Sequence, residues 1–422
     1  MNEELLQYAW KFKLFGTKLQ TVSGEELEII SAGTQNTDAG PDFLSARIKI
    51  DALEWAGNIE IHKNASDWEK HEHHKDESYD SVILHVVANN DKDVYRSNGK
   101  QIPCVKISLD ASIVSTYKQL KESTKWIPCE EIILSVDYFS IKHWLSRLMI
   151  ERLEAKSIQI AEHLKQSANN WEVVFYHQLA HNFGFKLNSM PFELLAKSTP
   201  LLMLAKHKNQ LAHLEAILFG QAGMLEKEID DEYYKQLQKN YAFFKKKFSL
   251  SPIEDFLWKF LRLRPVNFPT IRISQFAALI YQSNALFSKI ISSKKLEDIE
   301  QYFQLQASEY WDTHYTFDKK TQKRIKRFGK SSFYNIAINT ILPFMFTYGR
   351  IKGKENLQNK ALDFYENIKA ENNHIIKKWK EIGIAPKNAF ESQALLQLKN
   401  EYCTNKKCLK CNIGNKLFSK KS

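Results

Sequence analysis

Asp42, Glu60, His62 and His85 are the residues whose types and spacing point most directly to chemistry in this chain. They lie in an acidic, histidine-rich stretch, Asn36 to His85, that holds five of the chain's 13 histidines. Carboxylate oxygens mixed with imidazoles suit a divalent metal, because both ligand types must converge in space to hold one. Positions 60 and 62 point to the same face of a strand. If Asp42 opens the neighbouring strand, its carboxylate comes within reach of both. Asp42 and Glu60 are then expected to cradle Mg²⁺ or Mn²⁺, which keep water ligands free for hydrolysis, with His85 as a further ligand. His62 is placed to act as a base or as a ligand that favours a softer metal. A rival arrangement uses His71 and His74, one helical turn apart, together with His73, Asp76 and His85. His73 itself reads as part of a solvated polar loop.

A second group of ligands sits at the C-terminus. Cys403-x4-Cys408-x2-Cys411 is a thiol cluster of the kind that binds zinc or an iron–sulfur cluster. A fourth ligand is needed for a closed thiolate site, and Cys129 in Trp126-Ile127-Pro128-Cys129 is the candidate.

The elements that must position these residues follow from hydrophobic patterning. Residues 3–14 have helical spacing, and Leu27–Ala32, Phe43–Asp51 and Leu53–His62 read as strands. In the second strand Phe43, Ser45, Arg47 and Lys49 alternate with Leu44, Ala46, Ile48 and Ile50, and Asp51-Ala52 is a tight turn into the third. Ser66-Asp67-Trp68 opens a short helix, and Val82–Val87 is a continuous apolar run suited to a buried strand. From Tyr138 onward the pattern is helical, broken at Met190-Pro191, Thr199-Pro200, Ser251-Pro252, Arg264-Pro265, Phe268-Pro269 and Leu342-Pro343. The expected fold class is α+β, an αβββαβ mixed-sheet domain over residues 1–130 followed by a larger all-α, basic domain over 131–400. A Cys-rich tail covers 401–422.

Composition bounds the function classes. Hydrophobic residues make up 43% and aromatics 12%, enough for packed interiors and too much for a disordered chain. No apolar run approaches a membrane span, the start is acidic, and the odd number of cysteines, five, argues against a secreted disulfide framework. The expectation is a cytoplasmic protein with no membrane partner. Residues 1–130 carry 21 acidic against 15 basic side chains, whereas the remainder carries 28 against 45. That asymmetry suits a metal site fed by a polyanion-binding surface, with nucleic acid as the expected partner. Arg262, Arg264, Arg272, Lys245 and Lys246 are the expected contacts, because guanidinium forks bind phosphate in a bidentate manner. Arg262 and Arg264 equally suit buried pairing with a carboxylate such as Glu215.

The order of elements, with Pro41-Asp42 ahead of the second strand and Glu60-x-His62 on the third, resembles the PD-(D/E)XK nuclease-like fold. That resemblance implies a metal held by Asp42 and Glu60 and a nuclease that hydrolyses phosphodiester bonds, with an extra acid at Glu3 or Glu4. His62 stands where that family carries lysine. A non-catalytic nucleic-acid-binding or scaffold protein on a degenerate frame, or a histidine-based hydrolase of small molecules, are the alternatives. Along nearly its whole length the chain also resembles a bacterial group, domain-of-unknown-function family 2851. The matching segments are Asn36-x-Asp38-Ala39-Gly40-Pro41-Asp42-Phe43, Asn58-Ile59-Glu60-Ile61-His62, Ser66-Asp67-Trp68, the run from Glu215 to Gly223 and the run from Arg262 to Pro269.

Overall fold

The computed structural model describes residues 2–16 and 18–419. They form two compact units, one of Met1–Leu145 with Gln397–Ser422 and one of Ser146–Leu396. The first is mixed α+β and the second is helical. Among the described residues, no helix is long and apolar enough to cross a membrane.

The first unit begins with helix α1 (Glu3–Phe12), capped by the Asn2 side chain, which accepts from the Leu5 N–H. The strands are β1 (Leu19–Gln20), β2 (Glu26–Ser31), β3 (Thr34–Gln35), β4 (Phe43–Ile50), β5 (Leu53–Asn64), β6 (Val82–Asn89) and β7 (Cys104–Lys106). Their order in the sheet is β1-β2-β4-β5-β6-β7, with β3 on β4. The β2–β4 and β4–β5 pairs are antiparallel, and β5 runs parallel to β6 and β6 to β7. One face packs Leu6 and Trp10 of α1 on Phe43, Ala46, Ile48, Ile59 and Ile61. Across β5, a second cluster forms from Ala65, Trp68, Val82 and Val87 with Tyr79 packed against it.

The strand pattern of β4 departs from simple alternation. Phe43 is buried together with Ala46, Ile48 and Ile50, although an unbroken strand would turn it to the polar face. The register shifts between Phe43 and Ala46, and Ser45 takes a left-handed φ of 57°. One extra residue inserted there rotates the start of the strand by one position, as a β-bulge does. Ser45 N–H is held by the Asn58 side chain at 3.1 Å. The bulge also brings the chain close to Gly33, where a Cβ would lie 2.8 Å from the Leu44 carbonyl oxygen. With φ at 86°, Gly33 is the residue that lets β3 fold back onto β4.

In the second unit the breaks at Thr199-Pro200 and Phe268-Pro269 coincide with helix ends, the helices running Ser189–Ser198, Leu201–His207 and Pro269–Gln282. Met190-Pro191 instead lies in the first turn of a helix, where proline is tolerated. Leu342-Pro343 is not a break either. A π-helical turn, Ala337–Ile341, precedes it, and the helix continues through Pro343 to Ile351. A wider turn of this kind takes up the hydrogen bond that proline cannot make.

The bulge gives a direct test. Gly33→Ala forces both a left-handed alanine and a clash with backbone, and is expected to destabilise the first unit by about 1–3 kcal/mol. Gly99→Ala, also at positive φ but with nothing within 4 Å of the new Cβ, is the matched control. Chemical denaturation followed through this unit should rank Gly33→Ala as clearly the more damaging.

Candidate metal centre

Strand β5 carries four consecutive buried residues, Ile59 to His62, because both faces of the sheet are covered there. Ile59 and Ile61 face α1, so Glu60 and His62 face the segment that follows β5. That segment is helix α2 (Asp67–Lys70), then a reversal at Glu72, whose φ of 61° is left-handed, then a 3₁₀ turn, His73–Lys75. Asp67 tethers the start, accepting from the Asn64 backbone N–H at 3.0 Å. Trp68 is fully buried and donates its indole N–H to the Tyr95 carbonyl. Its ring packs edge-on against His62, His73 and Tyr79. His73 stacks on Tyr79 at 3.8 Å.

The result is a convergence on Glu60. Its Oε1 lies 3.5 Å from His62 Nε2 and 3.4 Å from His73 Nε2. His62, His71 and His73 each offer a ligand atom, and the three atoms all lie within 4.8 Å of one another. Buried His73 Nε2 has no hydrogen-bond partner. Separations of 3.4–3.5 Å are long for hydrogen bonds. They match the edge of a tetrahedron of ligands about 2.0–2.1 Å from a central metal, which is about 3.3–3.4 Å. A nitrogen of His71 would close such a shell, and a water or substrate oxygen would add to it as a fifth ligand.

Behind the cluster, His62 Nδ1 and His85 Nε2 are 2.9 Å apart, and His85 is fully buried. A metal on His62 Nε2 requires the proton on Nδ1, where His85 Nε2 accepts it. His85, expected as a direct ligand, meets the Nδ1 of His62 and lies behind its ring. Burial first, and then the neighbouring imidazoles, lower the pKa of His62 to about 2, and burial lowers that of His85 to about 3. His62 is therefore a neutral imidazole at ordinary pH. It does not supply the positive charge that a lysine would.

Asp42 stands on the other side of Glu60 in a reciprocal lock. The Asp42 backbone N–H donates to Glu60 Oε2 at 3.0 Å, and the Ile61 N–H donates to Asp42 Oδ2 at 3.0 Å. Gln7 Nε2 of α1 donates to Asp42 Oδ1 at 2.8 Å. Burial, followed by repulsion from Glu60, raises the Asp42 pKa to about 7. The charge of Glu3 adds to this, whereas Glu4 faces Tyr117 and Lys121. The two carboxylates expected to cradle a hard cation are adjacent, but two imidazoles, His62 and His73, crowd the open oxygen of Glu60.

His71 pairs with His73 rather than with His74, because α2 stops at Lys70 and Glu72 reverses the chain. His73 is buried in the cluster and is not a solvated loop residue. The signal for this was a Glu-x-His pair on a strand followed closely by a His-x-His pair.

Elsewhere, Arg262, Arg264, Lys245 and Lys246 are exposed. Arg272, expected on a nucleic-acid surface, is buried in the second unit. Its guanidinium donates to Gln275, Asn267 and Ser332 and lies 4.2 Å from the Phe185 ring centre. Glu215 is likewise buried but accepts from Ser274 and Tyr233, and Arg262 and Arg264 are not its partners. Cys129, Cys403, Cys408 and Cys411 line one small cavity in the first unit.

Comparison with known proteins places residues 3–374 in the family described as Protein of unknown function (DUF2851). The chain belongs to that family. No curated protein and no solved structure matches it. In this DUF2851 member the matched region contains the whole imidazole–carboxylate cluster and ends before the three C-terminal cysteines.

Two opposing proton linkages follow from the buried groups. His62 and His85 stay neutral when folded but take up protons when unfolded below about 6.5, so stability falls as pH drops from 6.5 toward 3. Asp42 keeps its proton to about pH 7 when folded and loses it near 3.8 when unfolded, so its contribution falls as pH rises between those values. Two histidines outweigh one carboxyl. Without added metal, the melting temperature should therefore decline from pH 6.5 to pH 4. Zinc or manganese should raise it at pH 7.5 in the native chain but not in His73→Ala.

Proposed function

We propose that this protein is a metal-dependent hydrolase acting on phosphodiester bonds of nucleic acid, with its metal held by Glu60, His62, His71 and His73. The observation that carries the reading is the approach of His62 Nε2 and His73 Nε2 to one oxygen of Glu60 at ligand-to-ligand distances. A bound metal supplies an acidified water and a Lewis acid for a phosphoryl oxygen.

The chain's own residues perform the remaining tasks. Glu60 and the three imidazoles would supply four protein ligands, with an exogenous oxygen adding as a fifth. His85 fixes the His62 ring, and Trp68 and Tyr79 pack against His73 and hold it in place. Asp42, with its pKa raised to about 7, adjoins Glu60 and is poised to take or give a proton there. The choice of nucleic acid rests on two supports. The strand placement of Asp42 and Glu60 resembles the PD-(D/E)XK frame, and the chain carries a net charge of +11. Neutral His62 in place of lysine moves the chemistry toward imidazole-bound, softer metals.

The involvement of His71 and His73 favours one second reading, a histidine-based hydrolase of small phosphate or carboxylic esters. Both readings share the centre and differ in substrate.

Labelled single- and double-stranded DNA and RNA, incubated with Mg²⁺, Mn²⁺, Co²⁺ or Zn²⁺, test the proposal alongside small ester substrates. Cleavage is expected with the transition metals above Mg²⁺. Glu60→Gln and His73→Ala should each lower it by about a hundredfold or more. Asp42→Asn should change the pH dependence of the rate, because it removes the buried carboxyl that adjoins Glu60. Hydrolysis confined to small esters would select the second reading. No hydrolysis of any substrate by folded, metal-loaded protein would reject both.

A further inference from the structure

A second ligand set lies apart from the Glu60 centre. Cys129 follows helix α3 (Ala111–Glu122), and the other three cysteines lie between Leu398 and helix Asn412–Phe418. Folding brings them around one cavity of about 20 Å³, lined also by Leu120, Pro128 and Tyr402. Two lysines lace the segments together: Lys399 Nζ donates to the Trp126 carbonyl at 2.8 Å and Lys406 Nζ to the Lys121 carbonyl at 2.7 Å. At Gly414 a Cβ would meet the Cys408 carbonyl oxygen at 2.1 Å, so this position needs glycine for the loop to close.

The four thiols are gathered in one place. Cys411 is buried, and Cys129, Cys403 and Cys408 are partly buried around the same cavity. Four sulfurs lining one cavity form a ligand set for a soft metal or a metal cluster.

The spacing of the sulfurs distinguishes the kind of centre. A single zinc ion draws four sulfurs to about 2.3 Å and so holds them about 3.8 Å apart. Among the described residues no three of these sulfurs lie within 4.8 Å of one another, and the wider spacing suits a polynuclear core. We propose that Cys129, Cys403, Cys408 and Cys411 are the four ligands of an iron–sulfur cluster that ties the segment after α3 to the C-terminal segment of the first unit. Assembly takes iron and inorganic sulfide, and each cysteine releases its thiol proton as its sulfur bonds iron.

Iron, zinc and acid-labile sulfide should be measured on the full chain purified without oxygen, and again after incubation with ferrous iron and sulfide. Iron with matching sulfide and a visible charge-transfer absorption is expected in the native chain. The same is expected of Cys104→Ala, whose thiol lies elsewhere, against Asn90. Cys129→Ala and Cys411→Ala should fall to background. One zinc per chain without sulfide would overturn the proposal, as would the absence of sulfide after reconstitution. So would equal losses in Cys104→Ala and Cys411→Ala. If the cysteine variants fail to fold, sulfide in the native chain still decides the outcome.

Discussion

Covering both faces of strand β5 is the constraint on which the candidate centre depends. Helix α1 covers the Ile59 and Ile61 face of the strand, and the Trp68–Tyr79 segment takes Glu60 and His62 out of water on the other face. Buried polar groups destabilise a fold unless they are paired, and a buried carboxylate more than most. The structure pairs many of them. Glu60 Oε2 takes the Asp42 N–H, Asp42 takes the Ile61 N–H and the Gln7 amide, and His62 Nδ1 meets His85. Turned toward one another beside these pairs are Glu60 Oε1 and the Nε2 atoms of His62 and His73. A metal ion would satisfy all three at once.

The bulge at Ser45 is part of the same construction. It rotates the start of β4 so that Phe43 enters the core, while Asp42 ends beside Glu60 with its backbone N–H on the carboxylate. Gly33 and Asn58 accommodate the irregularity. Bulges beside sites that aim side chains are a recurrent use of this distortion. Here it couples strand register to the position of a carboxyl whose pKa is raised to about 7.

Much of this was legible in the sequence, and the missing parts have physical reasons. The helix, the β4–β5 hairpin with its turn at Asp51-Ala52, and β6 follow from periodicity and turn chemistry. Glu60 and His62 follow from a two-residue strand spacing. His73 was not legible as a site residue, because its burial depends on a left-handed turn at Glu72 that periodicity does not reveal. His85 was legible as a buried histidine, but its separation from the Glu60 oxygen by the His62 ring depends on strand pairing. Arg272 was read as a phosphate contact because three arginines cluster around two prolines. Its helix is instead buried from Pro269 to Ile280, and amide and hydroxyl acceptors with two aromatic rings surround the charge. The four cysteines could be grouped from spacing and count, whereas the cavity they share appears only in three dimensions.

The most direct test of the central claim is a crystal structure of the manganese- or zinc-loaded protein, with anomalous scattering recorded at the metal's absorption edge. A peak is predicted within bonding distance of Glu60 Oε1, His62 Nε2, His73 Nε2 and a nitrogen of His71. Metal bound only elsewhere, with Glu60 and the imidazoles unchanged and water between them, would contradict the account.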